Sequence, residues 1–480
     1  MLRKIRSFLF ENQSLRQTVA KNTFWLFFGQ VSGRFVRMGL IIFAARVLGP
    51  SSWGAFSYVM TLVAFMTIFS DIGMGAIVTR ESAKTPEHSK RYFSTAFCLK
   101  LILLAIGIFI LIFGAPYITN IPEAKKLMPV VSLILLFDSL RNFGFVISRA
   151  KEKMQYEALN EILTNFFITA FGLFFLFVSP NSQSLAIGYL LGVVVGFLGI
   201  FFLLKDHFTA SFSEFDPSLV WPLLKSSLPF ALASFLGSIM LNTDLVIIGW
   251  MRPAAETGYY SAAQKPIYVL YTMASLFAVS IFPALTKTLK EGLEGGKKVL
   301  EQAIAASFLA AIPIALGGII LGGPIIDLVF GKEYRPATLS FQILMATILI
   351  IFPSAIVSNS VLAHEKQKNF ITFSMIGAIG NIIFDLLLIP KWGIGGSSVA
   401  TLLTQIVSNY FIWHKMQITN PFSVFPNIKK MIIAGVTMAI LTYLIQIAGV
   451  PLLINILISI CAYLLILKIQ KERLLELIYR

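Results

Sequence analysis

Two arginines inside an apolar segment have the most specific chemistry in this sequence. Arg34 and Arg37 lie near the middle of a segment that runs roughly from residue 22 to residue 48. An arginine at the centre of a bilayer costs about 2.5–3.5 kcal/mol on insertion scales, and residues three apart share one face of a helix. That face must therefore look into protein or into a wet cavity that holds an anion. Guanidinium groups bind the oxygens of anions through paired hydrogen bonds, so two arginines on one face predict a binding site for an anion.

The composition predicts the elements that must hold these arginines. Of 480 residues, 57% are hydrophobic and 13% are charged, whereas a soluble domain averages about 25% charged residues. Apolar runs of about 20 residues, the length that crosses the hydrocarbon core, recur along the chain. We predict an all-α polytopic membrane protein with about 14 transmembrane helices, at residues 22–48, 52–77, 92–114, 127–149, 158–179, 184–204, 222–249, 257–285, 300–322, 338–362, 369–390, 395–414, 429–448 and 450–468.

Basic residues concentrate at both ends of the chain and in alternate loops. They precede the first predicted span and follow the second, fourth and eighth, while the other loops carry fewer. The positive-inside rule then predicts cytoplasmic termini and an even number of spans. The net charge of +16 is mostly this topology signal, and its spread over many short loops gives no support for nucleic-acid binding. Residues 1–20 alternate apolar and basic side chains, which favours a short interfacial helix.

An internal repeat predicts two similar halves. Gly33, Gly54 and Ser57 match Gly237, Gly258 and Ser261 at a single offset, and each copy is a span, a short outer turn and a following span. Halves in the same order and orientation form a parallel repeat. We predict an N-terminal segment 1–20, an N-lobe 21–204 with spans 1–6, a cytoplasmic linker 205–221, a C-lobe 222–414 with spans 7–12, and a segment 415–480 with spans 13–14 and the tail.

Several motifs carry a family resemblance. They are Asn22-Thr23-Phe24-Trp25-Leu26, Ala45-Arg46-Val47-Leu48-Gly49-Pro50, Asp71-Ile72-Gly73-Met74-Gly75, Asn242-Thr243-Asp244, Gly258-Tyr259-Tyr260-Ser261 and Phe282-Pro283-Ala284-Leu285. Together they resemble the O-antigen (Wzx-type) flippases of the multidrug/oligosaccharidyl-lipid/polysaccharide superfamily. The resemblance implies two six-helix lobes, as in the multidrug and toxic compound extrusion (MATE) transporters, plus two C-terminal helices. It also implies translocation of an undecaprenyl-diphosphate-linked oligosaccharide across the inner membrane for surface polysaccharide synthesis.

Other charged and polar residues inside predicted spans are further site candidates. Arg141 is three residues after Asp138, and it joins Arg34 and Arg37 as a predicted diphosphate ligand. Charges inside spans face the interior and usually pair, so the alternative is mutual neutralisation of Arg34 or Arg37 by Asp138, and of Lys265 by Asp244 or Asp385. The predicted cavity-lining or ion-coupling residues are Gln30, Asp138, Asp244, Lys265 and Asp385. Gly29, Gly33, Gly192 and Gly196 indicate close helix packing, or a bend at the last two.

The same residues narrow the function to transport. The sequence contains no nucleotide-binding or hydrolase motif, and its two cysteines and four histidines predict no disulfide framework, metal site or cofactor. We therefore expect a transporter rather than an enzyme, with alternating access between lobes. The expected partners are the lipid-linked oligosaccharide, membrane lipids, a polysaccharide polymerase and glycosyltransferases. The alternatives are a cation-coupled multidrug antiporter, which should favour acidic cavity residues, and a peptidoglycan lipid II flippase.

Overall fold

The computed structural model describes residues 11–12, 14–209 and 212–472, and most of these residues lie in helices. Residues 1–10 of the predicted interfacial segment, and residues 473–480 of the predicted tail, lie outside the described residues. The described chain divides into two compact units. Unit 1 comprises Met1–Ser238 with Pro253–Ala255, and unit 2 comprises Ile239–Arg252 with Glu256–Arg480.

The helices of unit 1 follow the predicted apolar segments. They are α1 (Leu15–Asp71), α2 (Met74–Lys84), α3 (Ser89–Phe109), α4 (Ala115–Ile118), α5 (Pro122–Ala150), α6 (Met154–Val178), α7 (Ser182–Leu203), α8 (Lys205–Thr209) and the larger part of α9 (Pro217–Met251). A π-helical turn at Ile110–Gly114 joins α3 to α4. Helix α1 packs against α5 and α6, and α7 packs against both of those helices.

Unit 2 contains the remaining helices. They are α10 (Ala254–Glu291), α11 (Leu293–Ile320), α12 (Gly322–Val329), α13 (Thr338–Ala346), α14 (Ile348–Ala363), α15 (Gln367–Thr419), α16 (Phe425–Ile447) and α17 (Leu452–Ile469). Helices α11, α14 and α15 enclose one apolar core, which includes Leu300, Ile356 and Met416. Helix α16 packs on α11, and α17 packs on α16, so the last two predicted spans belong to this unit.

Two long helices are each a pair of membrane segments. Among the described residues, 12 helical stretches are long and apolar enough to cross a membrane, and two of these, Gln17–Asp71 and Gln367–Thr419, have 55 and 53 residues. A single span needs only about 20 residues. Gly49 (φ 70°) breaks α1 just before Pro50, and Gly393 (φ 56°) breaks α15, because glycine tolerates the left-handed region. Counting both as pairs gives the predicted number of 14, and the chain is a multi-pass membrane protein.

The structure differs from the predicted spans at several boundaries. The second predicted span ends at Asp71 rather than near residue 77, because Ile72 and Gly73 adopt left-handed conformations that stop α1 and start α2. The tenth predicted span is two helices, α13 and α14, which meet at Thr347. The chain leaves unit 1 within α9, beyond the predicted linker 205–221. The assignment of six spans to each lobe stays a prediction.

The two ends of unit 1 are marked by different turns. Glu123, at the start of α5, accepts hydrogen bonds from Ser52 (3.1 Å) and from Ser182, which brings three turns together at one end. At the other end, the Lys21 ammonium donates to the carbonyl of Glu152 (3.2 Å). We call this second end, with the turns at residues 85–88 and 151–153, the basic end.

The segment after α7 packs onto unit 1 as an ordered element. Phe208 is buried against Phe93, Phe97, Phe197 and Phe201. His207 is buried beside the Phe93 ring, and its burial, with Lys151 and Lys90 nearby, lowers its pKa to about 4. These contacts tie the segment to α3 and α7 of unit 1.

Asp216 precedes the first residue of α9 and fixes where that helix begins. The carboxylate accepts hydrogen bonds from the Ser218 hydroxyl (2.7 Å) and backbone N–H (2.9 Å), and it pairs with Arg91. These hydrogen bonds and the arginine lower the pKa of Asp216. An anionic side chain before the first turn also interacts favourably with the helix dipole.

Candidate substrate-binding site

Small residues bring α1 close to α6 at the level of the predicted arginine face. A Cβ atom on Gly29 would lie 2.6 Å from Cα of Ala158, and one on Gly33 would lie 2.7 Å from Nδ2 of Asn165. A side chain at Gly29 would require α6 to shift, whereas one at Gly33 would displace the Asn165 side chain. The close packing expected of these glycines is confirmed, and it turns the next residues of α1 toward α5 and α6.

These residues of α1 line a cavity inside unit 1. Three of the predicted residues, Gln30, Arg34 and Arg37, contribute to one cavity of about 240 Å³, which we call the arginine cavity. Helices α5 and α6 supply the rest of its wall. The full lining is Leu26, Gln30, Arg34, Arg37, Asn142, Phe145, Arg149, Glu157, Ala158 and Glu161. Three arginines face two glutamates, so the charge of the lining is net positive.

Arg141 lies behind the wall of this cavity. It is only 5% exposed and is held by two carboxylates, Asp138 at 2.8 Å on its own helix and Glu161 at 2.7 Å on α6. Weaker hydrogen bonds join it to Asn160 (3.5 Å) and Thr164 (3.4 Å). The partner of Asp138 is therefore Arg141, where the sequence suggested Arg34 or Arg37. A buried arginine with two carboxylates is positioned to support the wall rather than to meet a ligand.

Two acidic lining residues were missed in the sequence analysis. Glu161 lies within the predicted fifth span and is one helical turn from Glu157, so a signal was available. Glu161 is tied back by Arg141 and by Asn165 Nδ2 (3.1 Å). The acidic groups of the cavity are therefore bonded within its wall. They reduce the net positive charge of the lining but do not cancel it.

Arg149 forms the border between the arginine cavity and a second pocket. Its Nε and Nη2 donate to the two carboxylate oxygens of Glu157, at 2.8 and 2.6 Å. The second pocket, of about 630 Å³, opens at the basic end, and we call it the basic-end pocket. Its lining is Val19, Asn22, Thr23, Leu26, Ala83, Arg149, Ala150, Lys151, Glu152 and Met154. Leu26 and Arg149 belong to both linings, so the two spaces adjoin.

Unit 2 contains a separate buried cluster of polar groups. Asp244 is 2% exposed and accepts hydrogen bonds from Tyr260 and from Thr401 (3.0 Å). Asp385, fully buried, interacts directly with Asp244 and accepts a hydrogen bond from Ser397 (2.9 Å). Asn381 also interacts with Asp244, so both carboxyl groups are surrounded by polar partners. Two of the predicted acidic residues are thus brought together.

The other predicted pairing in unit 2 involves Lys265 of α10. The hydrogen bonds of Asp244 and Asp385 described above come from hydroxyl groups. Pairing of Lys265 with either carboxylate stays a prediction. The structure does confirm the close packing expected on α7, because a Cβ on Gly192 would lie 2.4 Å from the Ile168 nitrogen, and one on Gly196 would lie 2.1 Å from the Thr164 hydroxyl.

Comparisons with known proteins agree with this architecture. The model of the family described as polysaccharide biosynthesis protein matches residues 19–289. The capsular polysaccharide biosynthesis protein CapF of Staphylococcus aureus is 22% identical over 83% of this chain and 99% of its own length. A putative O-antigen transporter of Shigella flexneri is 21% identical over 81% and 96% of the two chains. The inward closed structure of the lipid II flippase MurJ superposes with a TM-score of 0.77 at 21% identity, covering 93% of this chain and 99% of that one.

Proposed function

This chain belongs to the polysaccharide biosynthesis protein family, and from that premise we propose that it is a flippase for a lipid-linked oligosaccharide. The substrate is an oligosaccharide on undecaprenyl diphosphate, which moves from the cytoplasmic to the outer leaflet of the inner membrane for surface polysaccharide synthesis. Movement occurs by alternating access. Relatives named as a capsular polysaccharide biosynthesis protein and a putative O-antigen transporter support this substrate class.

The observation that carries the proposal is the arginine cavity. Arg34 and Arg37 reach it from one face of α1, and Arg149 reaches it from α5. Glu157 is paired with Arg149, and Glu161, which Arg141 holds, also interacts electrostatically with Arg34 and Arg37. Three arginines against two glutamates leave the lining with an excess of positive charge. A diphosphate supplies several acceptor oxygens for these guanidinium groups. In this proposal Arg34 and Arg37 hold the diphosphate, and Arg141 fixes the wall beside it.

The same cavity argues against a multidrug antiporter. A cationic drug would require acidic groups that are available to it, whereas both glutamates of the arginine cavity are bonded to arginines. A lipid II flippase shares the diphosphate chemistry and differs in the glycan. A defect in surface glycan, with peptidoglycan synthesis intact, separates these two substrates.

We further propose that the basic end faces the cytoplasm, with both termini on that side. An interior-negative potential then favours outward movement of the anionic diphosphate by about 2.3 kcal/mol per charge per 100 mV. Asp244 and Asp385 are the proposed site of ion or proton coupling, because two carboxyl groups in contact at one buried site repel each other when both are charged, and a proton or a cation would relieve that repulsion. The functional partners in this scheme are glycosyltransferases and a polysaccharide polymerase.

The test is glycan export by arginine variants in cells that lack the native gene. We expect Arg34→Ala and Arg37→Ala each to abolish surface glycan while leaving the protein at its normal level in the membrane. Arg→Lys should restore export only in part, because lysine keeps the charge and loses the two-pronged geometry. The measurement is surface glycan together with the membrane level of each variant.

Two matched arginines control for general damage. Arg46 lies on the same helix outside the arginine cavity, and Arg46→Ala should export normally. Arg141→Ala should instead reduce the amount of protein, because removal of one partner of a buried ion pair costs about 3–5 kcal/mol. Normal export by a well-expressed Arg34→Ala, Arg37→Ala double variant would overturn the proposal.

A further inference from the structure

The basic-end pocket has a chemistry that the diphosphate does not use. Its wall contains the amide of Asn22 and the hydroxyl of Thr23, next to apolar Val19, Leu26 and Met154. Amide and hydroxyl groups beside apolar surface suit the hydroxyls and the ring carbons of a sugar. The pocket, at about 630 Å³, is also larger than the arginine cavity, at about 240 Å³.

Asn22 has an amide whose hydrogen bonding is incomplete. The residue is only 6% exposed, and within the described residues its Oδ1 atom has no hydrogen-bond partner. A buried polar atom without a partner costs about 1–3 kcal/mol. The neighbouring Lys21 ammonium donates hydrogen bonds to Asn12 and to the carbonyl of Glu152. Lys21 therefore has hydrogen-bond partners, whereas Oδ1 of Asn22 has none within the described residues. Asn22 also belongs to the lining of the pocket, so its amide side chain borders the space that a ligand would fill.

We propose that the basic-end pocket is the subsite for the reducing-end sugar of the lipid-linked glycan, with Asn22 and Thr23 as its hydrogen-bonding residues. This inference rests on the proposed function, since it takes the arginine cavity as the site of the diphosphate. In such a substrate the first sugar is bonded directly to the diphosphate. The two spaces adjoin at Leu26 and Arg149, so one molecule can fill both.

Arg149 lies where the glycosyl phosphate bond would pass. Two of its five N–H groups are used by Glu157, which holds the guanidinium in one orientation. The arginine side chain is 44% exposed, whereas that of Glu157 is 9% exposed. The remaining N–H groups can therefore reach a phosphate oxygen at the junction. Glu157 is a positioning residue in this arrangement, and Arg149 is the contact shared by the phosphate and the sugar.

The experiment compares two soluble probes on the purified full chain in lipid nanodiscs. The probes are farnesyl diphosphate and farnesyl diphosphate linked to N-acetylglucosamine, and affinities are measured by isothermal titration calorimetry. The wild-type protein should bind the glycosylated probe more tightly. Asn22→Ala should lower the affinity for the glycosylated probe about 2–10-fold, as the loss of one hydrogen bond predicts. Its affinity for farnesyl diphosphate should not change. Asn427→Ala, at the start of α16 in unit 2, should change neither affinity.

Thr23→Val provides a second variant that does not remove a buried group. Thr23 is exposed in the pocket, and valine keeps its volume while losing the hydroxyl, so this variant should fold and show the same selective loss. Equal affinity of the wild type for both probes would overturn the sugar subsite, as would Asn22→Ala and Thr23→Val variants that bind both probes normally. Arg34→Ala should lower the affinity for both probes equally. If it does, the two outcomes above would contradict the sugar subsite but not the diphosphate site. Failure of the wild type to bind either probe would overturn both proposals.

Discussion

At the residue scale, the contacts of each arginine distinguish a structural role from a proposed ligand-binding role. Arg141 has two carboxylates and almost no exposed surface, whereas Arg34 and Arg37 border an open cavity. All three are arginines within predicted spans, and a sequence cannot separate them. The cost of removing a guanidinium from water is offset only by close partners. Arg141 has such partners, and it therefore supports the wall of the cavity. The same reasoning makes Asp244 and Asp385 notable, because two carboxyl groups that meet at one buried site repel each other when both are charged.

The first residue-scale prediction concerns these two aspartates. Asp244→Asn and Asp385→Asn keep the size of each side chain and remove its charge. If the cluster binds the coupling cation or proton, each variant should reach its normal membrane level while glycan export falls at least about tenfold, equivalent to about 1.4 kcal/mol. Surface glycan and membrane protein level are the measurements.

Ser397→Ala is the matched control for these variants, because it removes the hydrogen bond to Asp385 and leaves both carboxyl groups in place. Its export should stay within about twofold of the wild type. Normal export by the Asp244→Asn, Asp385→Asn double variant would remove this cluster from the mechanism.

At the element scale, small residues and a docked segment set the geometry of unit 1. Gly29 and Gly33 allow α1 to reach α6, and Gly192 and Gly196 allow α7 to do so from another side. The segment 205–209, predicted as part of a linker, instead buries Phe208 in an aromatic cluster. Aromatic side chains contribute large buried areas, which explains why so short a segment is ordered.

The element-scale prediction follows from His207 in that segment. Its folded pKa is lowered to about 4 from an ordinary value of 6.5, so between these values the unfolded chain binds a proton that the folded chain does not. Stability should therefore fall as the pH drops from about 6.5 toward 4, by on the order of 1–3 kcal/mol. His207→Phe should remove this part of the acid sensitivity, because phenylalanine fits the cluster and does not titrate.

The measurement is the melting temperature of the purified protein between pH 7.5 and pH 4.5. His88→Gln serves as the control, since His88 is exposed at the same end of unit 1, and it should retain the acid sensitivity of the wild type. An unchanged pH profile in His207→Phe would show that burial of this imidazole does not contribute to stability.

At the scale of the whole molecule, the two compact units carry different polar sites. Unit 1 holds the arginine cavity and the basic-end pocket, and unit 2 holds the Asp244 cluster. By the repeat offset Arg34 and Arg37 correspond to Ser238 and Leu241, so the positive patch is not duplicated. A division of labour follows, with anion binding proposed for unit 1 and ion coupling proposed for unit 2.

The whole-molecule prediction concerns topology. The basic loops and the 14 apolar segments predict that both termini are cytoplasmic. Reporter fusions after Asn181 and after Gly449 should be active on the outer side, and a fusion after Arg480 should be active in the cytoplasm. A C-terminal reporter on the outer side would contradict both the span count and the pairing of the two halves.

The sequence by itself determined the class, the segments and the family. Apolar length decides which segments cross a membrane, and it needs no knowledge of their neighbours. The cost of a charge in a bilayer likewise identified Arg34 and Arg37 before any partner was known. These properties belong to single helices, and the motifs around Asn22 and Gly258 carry a resemblance that the family match confirms.

Only the tertiary structure decided which charges meet. Glu161 of α6 bonds to Arg141 of α5, which lies 20 residues earlier in the sequence. Asp385 of α15 contacts Asp244 of α9. Arg149 lies at the border of two pockets, which residue spacing in the sequence does not predict. Such pairings depend on the rotation and the separation of packed helices, and at Gly29 the backbones of α1 and α6 approach too closely for a Cβ atom. A sequence records the charge of each residue, but the cost of burying that charge is settled by neighbours that come from other helices.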